Sequence, residues 1–369
     1  MRIPFVDLKK QYLNIKDDIQ NSITKVIEDA AFIGGEDHHN FISNLKDLVG
    51  IDHVLPVGNG TDAIYIALKM LGVSNGDEII TTSHSWISTS ETISQAGGMP
   101  VFVDTNEFFC IDDELIESRI TEKTKGIIPV HLYGHASNMD KIMRLAKKYN
   151  LFVIEDCAQA ILTKWSKQNV GTFGDVGTFS FFPGKNLGAY GDAGGTITNN
   201  ENLFYDMKRF ANHGSLVKHQ HEIEGINSRL DNIQAAILNV KIKYIRQWIE
   251  NRRAAADFYN EKLSEVEEIK IPKEHNQCEH SYHLYVIKTN NREGLAEFLN
   301  QKGIETGIHY PRALPALDCY KYLNLDLADY KNSISDSKRI LSLPIFPEID
   351  HTQIDYVVGS IKDFFAGNA

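Results

Sequence analysis

The segment from Gly174 to Gly195, GDVGTFSFFPGKNLGAYGDAGG, sets a single lysine, Lys185, between Pro183-Gly184 and Asn186-Leu187-Gly188, in a turn that follows an apolar strand. Glycines let the backbone turn tightly and approach a ligand closely. An amine so placed is a candidate nucleophile for carbonyl chemistry, provided that an enclosed or cation-rich site lowers its pKa from the usual value of about 10.4. A solvated loop lysine answers the same local pattern. Asp156, in LFVIEDCAQA, stands just past the C-terminal end of an apolar strand, where open α/β sheets put ligand-contacting groups. Its neighbour Glu155 points the other way. A carboxylate buried at that place is costly unless it meets a cation, and a protonated heteroaromatic nitrogen satisfies it, as do a helix cap or a salt bridge.

Two further segments offer ligand contacts. VGNGTDAIYIAL places Gly58, Asn59, Gly60 and Thr61 between a strand and an amphipathic helix, so that free N–H groups and the positive end of the helix dipole face a phosphate. The spacing is neither the dinucleotide-binding GxGxxG nor a Walker loop, and a Gly-rich helix cap reads the same way. Trp86, in TTSHSWISTS, follows another strand end; its indole can lie against a bound aromatic ring, or serve as a core or interface residue.

These residues need a frame. Over the first two thirds of the chain, short β-branched runs alternate with helical patterns: HVLPVG and TDAIYIALKML, DEIITT and ISTSETISQAG, MPVFVD, KGIIPVHL and NMDKIMRLAKKY, then LFVIED. That alternation predicts an α/β fold with a mostly parallel central sheet flanked by helices. VGTFSFF and GGTITNN continue the strands, and RLDNIQAAILNVKIKYIRQWIENRRAAADFYNEKL reads as one long helix leading out of the large domain. The chain divides into a large domain over residues 1–245 and a smaller C-terminal α/β domain over 246–369, with no Gly/Ser linker between them.

In this order, GNGTDA, SWISTSE, VHLYG, EDCAQA, SFFPGKNLGAYGDAGG, GINSRLDNIQAA and GIHYP resemble the pyridoxal-phosphate-dependent nucleotide-sugar aminotransferases, the DegT/DnrJ/StrS family of fold-type-I enzymes. The resemblance runs from IPFVDLKKQY to SLPIFPEI. It implies pyridoxal 5'-phosphate as cofactor, with pyridoxamine 5'-phosphate (PMP) as its intermediate form. Lys185 would then form the Schiff base and shuttle the proton, and Asp156 would pair with the pyridinium nitrogen. Gly60, Thr61 and Ser180 would hold the phosphate, Trp86 would stack on the ring, and Gln159 would lie near the ring hydroxyl. Asn227 would reach the phosphate from the neighbouring subunit, which implies a homodimer with shared active sites. For the substrate, the resemblance points to His309 and Tyr310, with His213 and Arg229 nearby. Glutamate would donate the amine, leaving 2-oxoglutarate, and the acceptor would be a keto sugar linked to dTDP or UDP. Ser228-Arg229-Leu230 stands where relatives that aminate C4 more often carry Tyr-Arg-Met/Leu, so C3 is favoured and C4 is the alternative. The resemblance also covers 3-dehydratases, which carry His at the Schiff-base position occupied here by Lys185, and regulatory relatives that keep only the fold.

Composition bounds the rest. In 369 residues, 42% hydrophobic and 10% aromatic, there is enough apolar mass for a sizeable core. Lys+Arg 38 against Asp+Glu 49 leaves a formal charge of −11, which argues against a nucleic-acid partner or an anionic membrane surface. Two anionic substrates must then be met by local cations such as Lys208, Arg209, His213 and Arg229. Cys110, Cys157, Cys278 and Cys319 share no CxxC spacing, so neither a metal site nor a disulfide framework is expected. With no signal-peptide pattern and no membrane-spanning run, the expected compartment is the cytoplasm. His135, after HLYG, reads as a loop residue.

Overall fold

A computed structural model of the chain describes residues 1–367. The strands, in chain order, are β1 (His53–Val57), β2 (Glu78–Thr82), β3 (Met99–Val103), β4 (Thr124–Ile128) and β5 (Phe152–Asp156). They continue as β6 (Lys164–Trp165), β7 (Gln168–Asn169), β8 (Val176–Ser180), β9 (Gly194–Thr198), β10 (Cys278–Glu279), β11 (Tyr285–Lys288) and β12 (Ile340–Leu343). Seven of them form the central sheet in the order β1-β9-β8-β5-β4-β2-β3. Only β9 runs against its neighbours in that sheet, pairing antiparallel with both β1 and β8.

The strand sequences explain the layers. Adjacent residues project to opposite faces, so Ile80, Ile127 and Val153 enter one core cluster while Ile79, Ile128 and Ile154 enter another. Helices α1 (Leu8–Asn14), α2 (Lys16–Glu28) and α3 (Glu36–Val49) precede the sheet. Of the next helices, α4 (Gly60–Met70), α5 (Ser88–Ala96) and α7 (Glu201–Ala211) cover one face. The other face takes α6 (Met139–Tyr149) and α8 (Asn232–Lys241), with α3 beside them. The doubly covered, mostly parallel sheet agrees with the fold class read from the sequence.

A third cluster belongs to the C-terminal unit. It joins α9 (Ile245–Leu263), β11, β12, α10 (Arg292–Gln301) and α12 (His351–Ala366), while α11 (Lys331–Arg339) leads into β12. Ile3 lies in the same cluster and pairs with Ile304, so the first residues of the chain pack on its last third. The single long helix expected over 229–263 is corrected to two. A turn at residues 242–244 separates α8 from α9, although no proline or glycine marks it. The change of core comes later: α8 and the start of α9 (Ile245, Trp248 and Ile249) pack into the large core, and Ala255, Tyr259 and Leu263 farther along α9 fill the small one.

Because β1, β2, β4, β5 and β8 run parallel, the turns after Val57, Thr82, Ile128, Asp156 and Ser180 all open on one edge of the sheet. Among the described residues, no helix is long and apolar enough to cross a membrane.

Candidate active site

Asp156 closes β5 and is buried. Its two oxygens are already oriented: Oδ2 accepts from the Thr89 hydroxyl at 2.8 Å and Oδ1 from the Ala158 N–H at 3.1 Å. The strand pleat sends Glu155 to the opposite face, where it accepts from the N–H groups of Gly171, Phe173 and Gly174 at 2.7 to 2.8 Å and lies 3.0 Å from His131 Nε2. His131, Glu155 and Cys157 could therefore be mistaken for a metal site, but the carboxylate is saturated by four donors and His131 Nδ1 accepts from Ser137 N at 3.0 Å.

Lys185 follows β8 in the turn Phe182–Lys185, closed by its own N–H donating to the Phe182 carbonyl at 2.8 Å. Burial of the amine lowers its pKa from 10.5 to about 8, against the opposing pull of the Asp156 carboxylate. Lys185 is half-buried, with the Asp156 carboxylate near enough to oppose the shift. Asn186 beside it donates to the Ser281 carbonyl and lies 3.2 Å from His283 Nδ1, which ties the lysine turn to the C-terminal unit.

The β1–α4 turn is built for an anion. Asn59 caps α4, its side chain accepting from Asp62 N at 2.8 Å, and this leaves the first-turn N–H groups of Gly60 and Thr61 at the helix end. Glycine is required at 60, because a Cβ there would lie 2.8 Å from the Ser180 Cβ. Its absence brings Ser180 against the helix end, whose Thr61 hydroxyl is 2.7 Å from Ser88 Oγ. Two hydroxyls, helix-end N–H groups and a helix dipole suit a phosphate. An amine of lowered pKa suits an aldehyde, and an oriented buried carboxylate suits a protonated ring nitrogen. The residues present therefore fit pyridoxal phosphate.

Gln159, Trp86, His309 and Tyr310 gather at the mouth of this centre. Gln159 is buried; its Oε1 accepts from Tyr133 N at 2.7 Å and its Nε2 donates to Tyr310 Oη at 3.1 Å. Trp86 is 58% exposed and 5.6 Å from the Tyr310 ring, so it is not a core residue. His309 stacks on Phe5, and burial, aided by Lys185, lowers its pKa to about 4, leaving a neutral imidazole. Asn227, Arg229 and His213 do not join the centre within one chain. They are exposed on the segment 212–231, and no hydrogen bond links them to Lys185 or Asp156 among the described residues. Ser228 anchors that segment beside the anion turn, accepting from Gly58 N at 3.0 Å and lying 2.6 Å from Asp62 Oδ2.

Several groups escaped the sequence. Thr89 holds Asp156 from 67 positions away, and only its place one helical turn after Trp86 in SWISTSE hinted at it. His135 is buried, not a plain loop residue; it stacks on Phe108, and its Nε2 accepts from His275 N. Arg209 is engaged by Asp206 and Glu222 and so is not a free cation for substrate.

Comparison with known proteins places this geometry. The DegT/DnrJ/EryC1/StrS aminotransferase family matches residues 13–362. The "Pleiotropic regulatory protein" of Geobacillus stearothermophilus is 40% identical, covering 99% of each chain. The UDP-N-acetyl-3-dehydro-alpha-D-glucosamine 3-aminotransferase of Acidithiobacillus ferrooxidans is 38% identical over 98% of this chain and 97% of its own. Among solved structures, NtdA from Bacillus subtilis, with bound cofactor PMP, superposes with a TM-score of 0.91 at 33% identity, over 99% of this chain and 85% of that one.

Proposed function

The chain belongs to the DegT/DnrJ/EryC1/StrS aminotransferase family and is a pyridoxal-phosphate-dependent aminotransferase; from that premise we propose that it moves an amino group from glutamate to C3 of a keto sugar linked to dTDP or UDP. The amino sugar would serve surface polysaccharide synthesis in the cytoplasm. One observation carries the reading: an enclosed amine at Lys185, an oriented carboxylate at Asp156 and a helix-end anion cradle share one sheet edge.

When bound, pyridoxal phosphate supplies an aldehyde carbon and an electron-accepting ring that carries the amine from donor to acceptor. The chain's own groups do the rest. Gly60 and Thr61 N–H groups with the Ser180 hydroxyl bind the phosphate. Asp156, held by Thr89 and Ala158, would pair with the ring nitrogen and keep a proton on it. Lys185, with a pKa of about 8, would serve as the base and acid that moves a proton at its Nζ, because near neutral pH both of its forms are accessible. Trp86 would lie against the ring, and His309 and Tyr310 would face the sugar nucleotide. Asn227, Arg229 and His213, exposed on this chain, serve a neighbouring subunit's site in a homodimer; the exposed apolar residues Phe32, Ile33, Phe182, Val217 and Ile223 supply surface for such a contact.

The C3 position rests on Ser228-Arg229-Leu230 and on the name of the Acidithiobacillus relative. The regulatory name of the Geobacillus relative favours a second role for this chain, but a regulator has no need of a lysine tuned to about 8 opposite a fixed carboxylate. The test is a screen of dTDP- and UDP-linked 3-keto and 4-keto sugars with glutamate, followed by mass spectrometry. An amino product from a 3-keto sugar is the expected result; product from 4-keto sugars alone would overturn the regiochemistry.

A further inference from the structure

The motif VHLYG at residues 130–134 has a site-directed meaning that the reaction above does not use. Each polar atom of Tyr133 is engaged, and the engagements cross from one unit to the other. Its N–H donates to Gln159 Oε1 at 2.7 Å, its carbonyl accepts from Leu284 N at 3.2 Å, and its hydroxyl donates to the His309 carbonyl. Gln159 closes the ring by donating to Tyr310 Oη. His84, itself buried, lies 3.0 Å from the Tyr133 hydroxyl oxygen through Nε2. The same Nε2 accepts from the Tyr310 N–H at 3.3 Å, so His84 holds the His309–Tyr310 turn directly, beside the Tyr133 hydroxyl.

The backbone is shaped for this purpose. Tyr133 adopts φ 60°, ψ 0°, in the left-handed region that a tyrosine enters only when its surroundings hold it there. Gly134 follows at φ 100°, and a Cβ on it would lie 2.5 Å from Ser281 Oγ, so the turn is pressed directly onto the C-terminal unit. An extended conformation at Tyr133 would redirect its N–H away from Gln159 while its ring stayed rooted among Phe109 and Leu132.

We propose that Tyr133 is a positioning residue: together with His84, which accepts from the Tyr310 N–H, it pins the His309–Tyr310 turn across the mouth of the Lys185–Asp156 centre and fixes which way the Gln159 amide faces. Gln159 then presents Nε2 on the Tyr310 side as a donor, and Tyr310 stays beside Trp86. The site is thus closed on this side before any substrate arrives, which spares substrate the cost of ordering it.

The test uses the cofactor-loaded enzyme with Tyr133→Phe, which keeps the ring packed on Phe109 and deletes one hydroxyl. Amide exchange over residues 307–312 should rise by about tenfold while exchange over residues 285–288 stays as in wild type. The visible absorbance of the bound cofactor should be unchanged, since Lys185 is untouched. The limiting rate at which glutamate bleaches that absorbance should fall by about tenfold, with half-saturation little altered. His84→Phe should move exchange and rate in the same direction, and less. Unchanged exchange at 307–312 overturns the pinning, and faster exchange with a wild-type bleaching rate overturns the positioning role. The kinetic arm rests on glutamate as donor; a wild-type enzyme that glutamate does not bleach would refute that donor, and the exchange arm would still decide the role of Tyr133.

Discussion

On the proposed reading the chemistry turns on Lys185, and its environment makes a pH prediction. Desolvation lowers the folded-state pKa from 10.5 to about 8. Only the unprotonated amine adds to an aldehyde, so the reactive fraction climbs through pH 8 instead of two or more pH units higher. Apoprotein mixed with pyridoxal phosphate should therefore develop its yellow colour slowly below about pH 7, faster through 8, and at a level rate above about 9. A rate still rising steeply at pH 10 would mean that the amine is not enclosed. Lys185→Ala should bind the cofactor without that colour and lose transamination by at least about a thousandfold, read by amino-product formation. Asp156 and Lys185 were legible as residues because each sits alone in a telling place, a strand end and a Gly-rich turn. Thr89, His84 and Tyr133 were not. Their roles exist only through hydrogen bonds to residues between 26 and 225 positions away, and no local pattern encodes those.

At the scale of elements, β9 is the one strand of the central sheet that runs against the rest, and it is what presses the anion turn into shape. It inserts between β1 and β8, and Gly194 at its start meets the β1–α4 turn so closely that a Cβ would stand 2.3 Å from the Asn59 carbonyl carbon. Backbone cannot step aside as a side-chain tip can. Gly194→Ala should therefore shift Asn59 and Gly60, lower stability by about 1–3 kcal/mol and weaken cofactor retention. Gly195→Ala is the internal contrast, since its Cβ would only touch the edge of Phe181 at 3.4 Å. Thermal unfolding and equilibrium dialysis of the cofactor should separate the two; equal effects would show that the turn yields freely. The parallel strands were readable because each is an apolar run with β-branched residues between turn signals. The reversal of β9 was not, since GGTITNN has the same pattern in either direction. Nor was the break between α8 and α9, since no proline or glycine marks residues 242–244 and the helical periodicity runs through them.

The whole molecule has one feature that a single chain leaves unexplained: Asn227 and Arg229 flank a buried anchor, Ser228, beside the phosphate turn, yet both stand exposed on an arm that also carries the exposed apolar side chains Leu216, Val217 and Ile223. An arm of that composition is suited to a partner surface. If two chains related by a two-fold axis exchange these arms, each active site draws Lys185 from one subunit and Asn227 from the other. The consequence is complementation. Lys185→Ala dimers should be inactive, and Asn227→Ala dimers should retain the colour of bound cofactor but hold it weakly. In a mixed dimer, the subunit that keeps Lys185 receives its Asn227 from the Lys185→Ala partner, so one of its two sites is complete while the other lacks both residues. Random reassortment makes half of all dimers mixed, so an equimolar blend unfolded and refolded together should recover about a quarter of wild-type activity, measured at a cofactor level too low to rescue Asn227→Ala alone. Should the blend show no more than the average of its two parents, each site would be complete within its own chain, and the exposed arm would have to answer to some other partner.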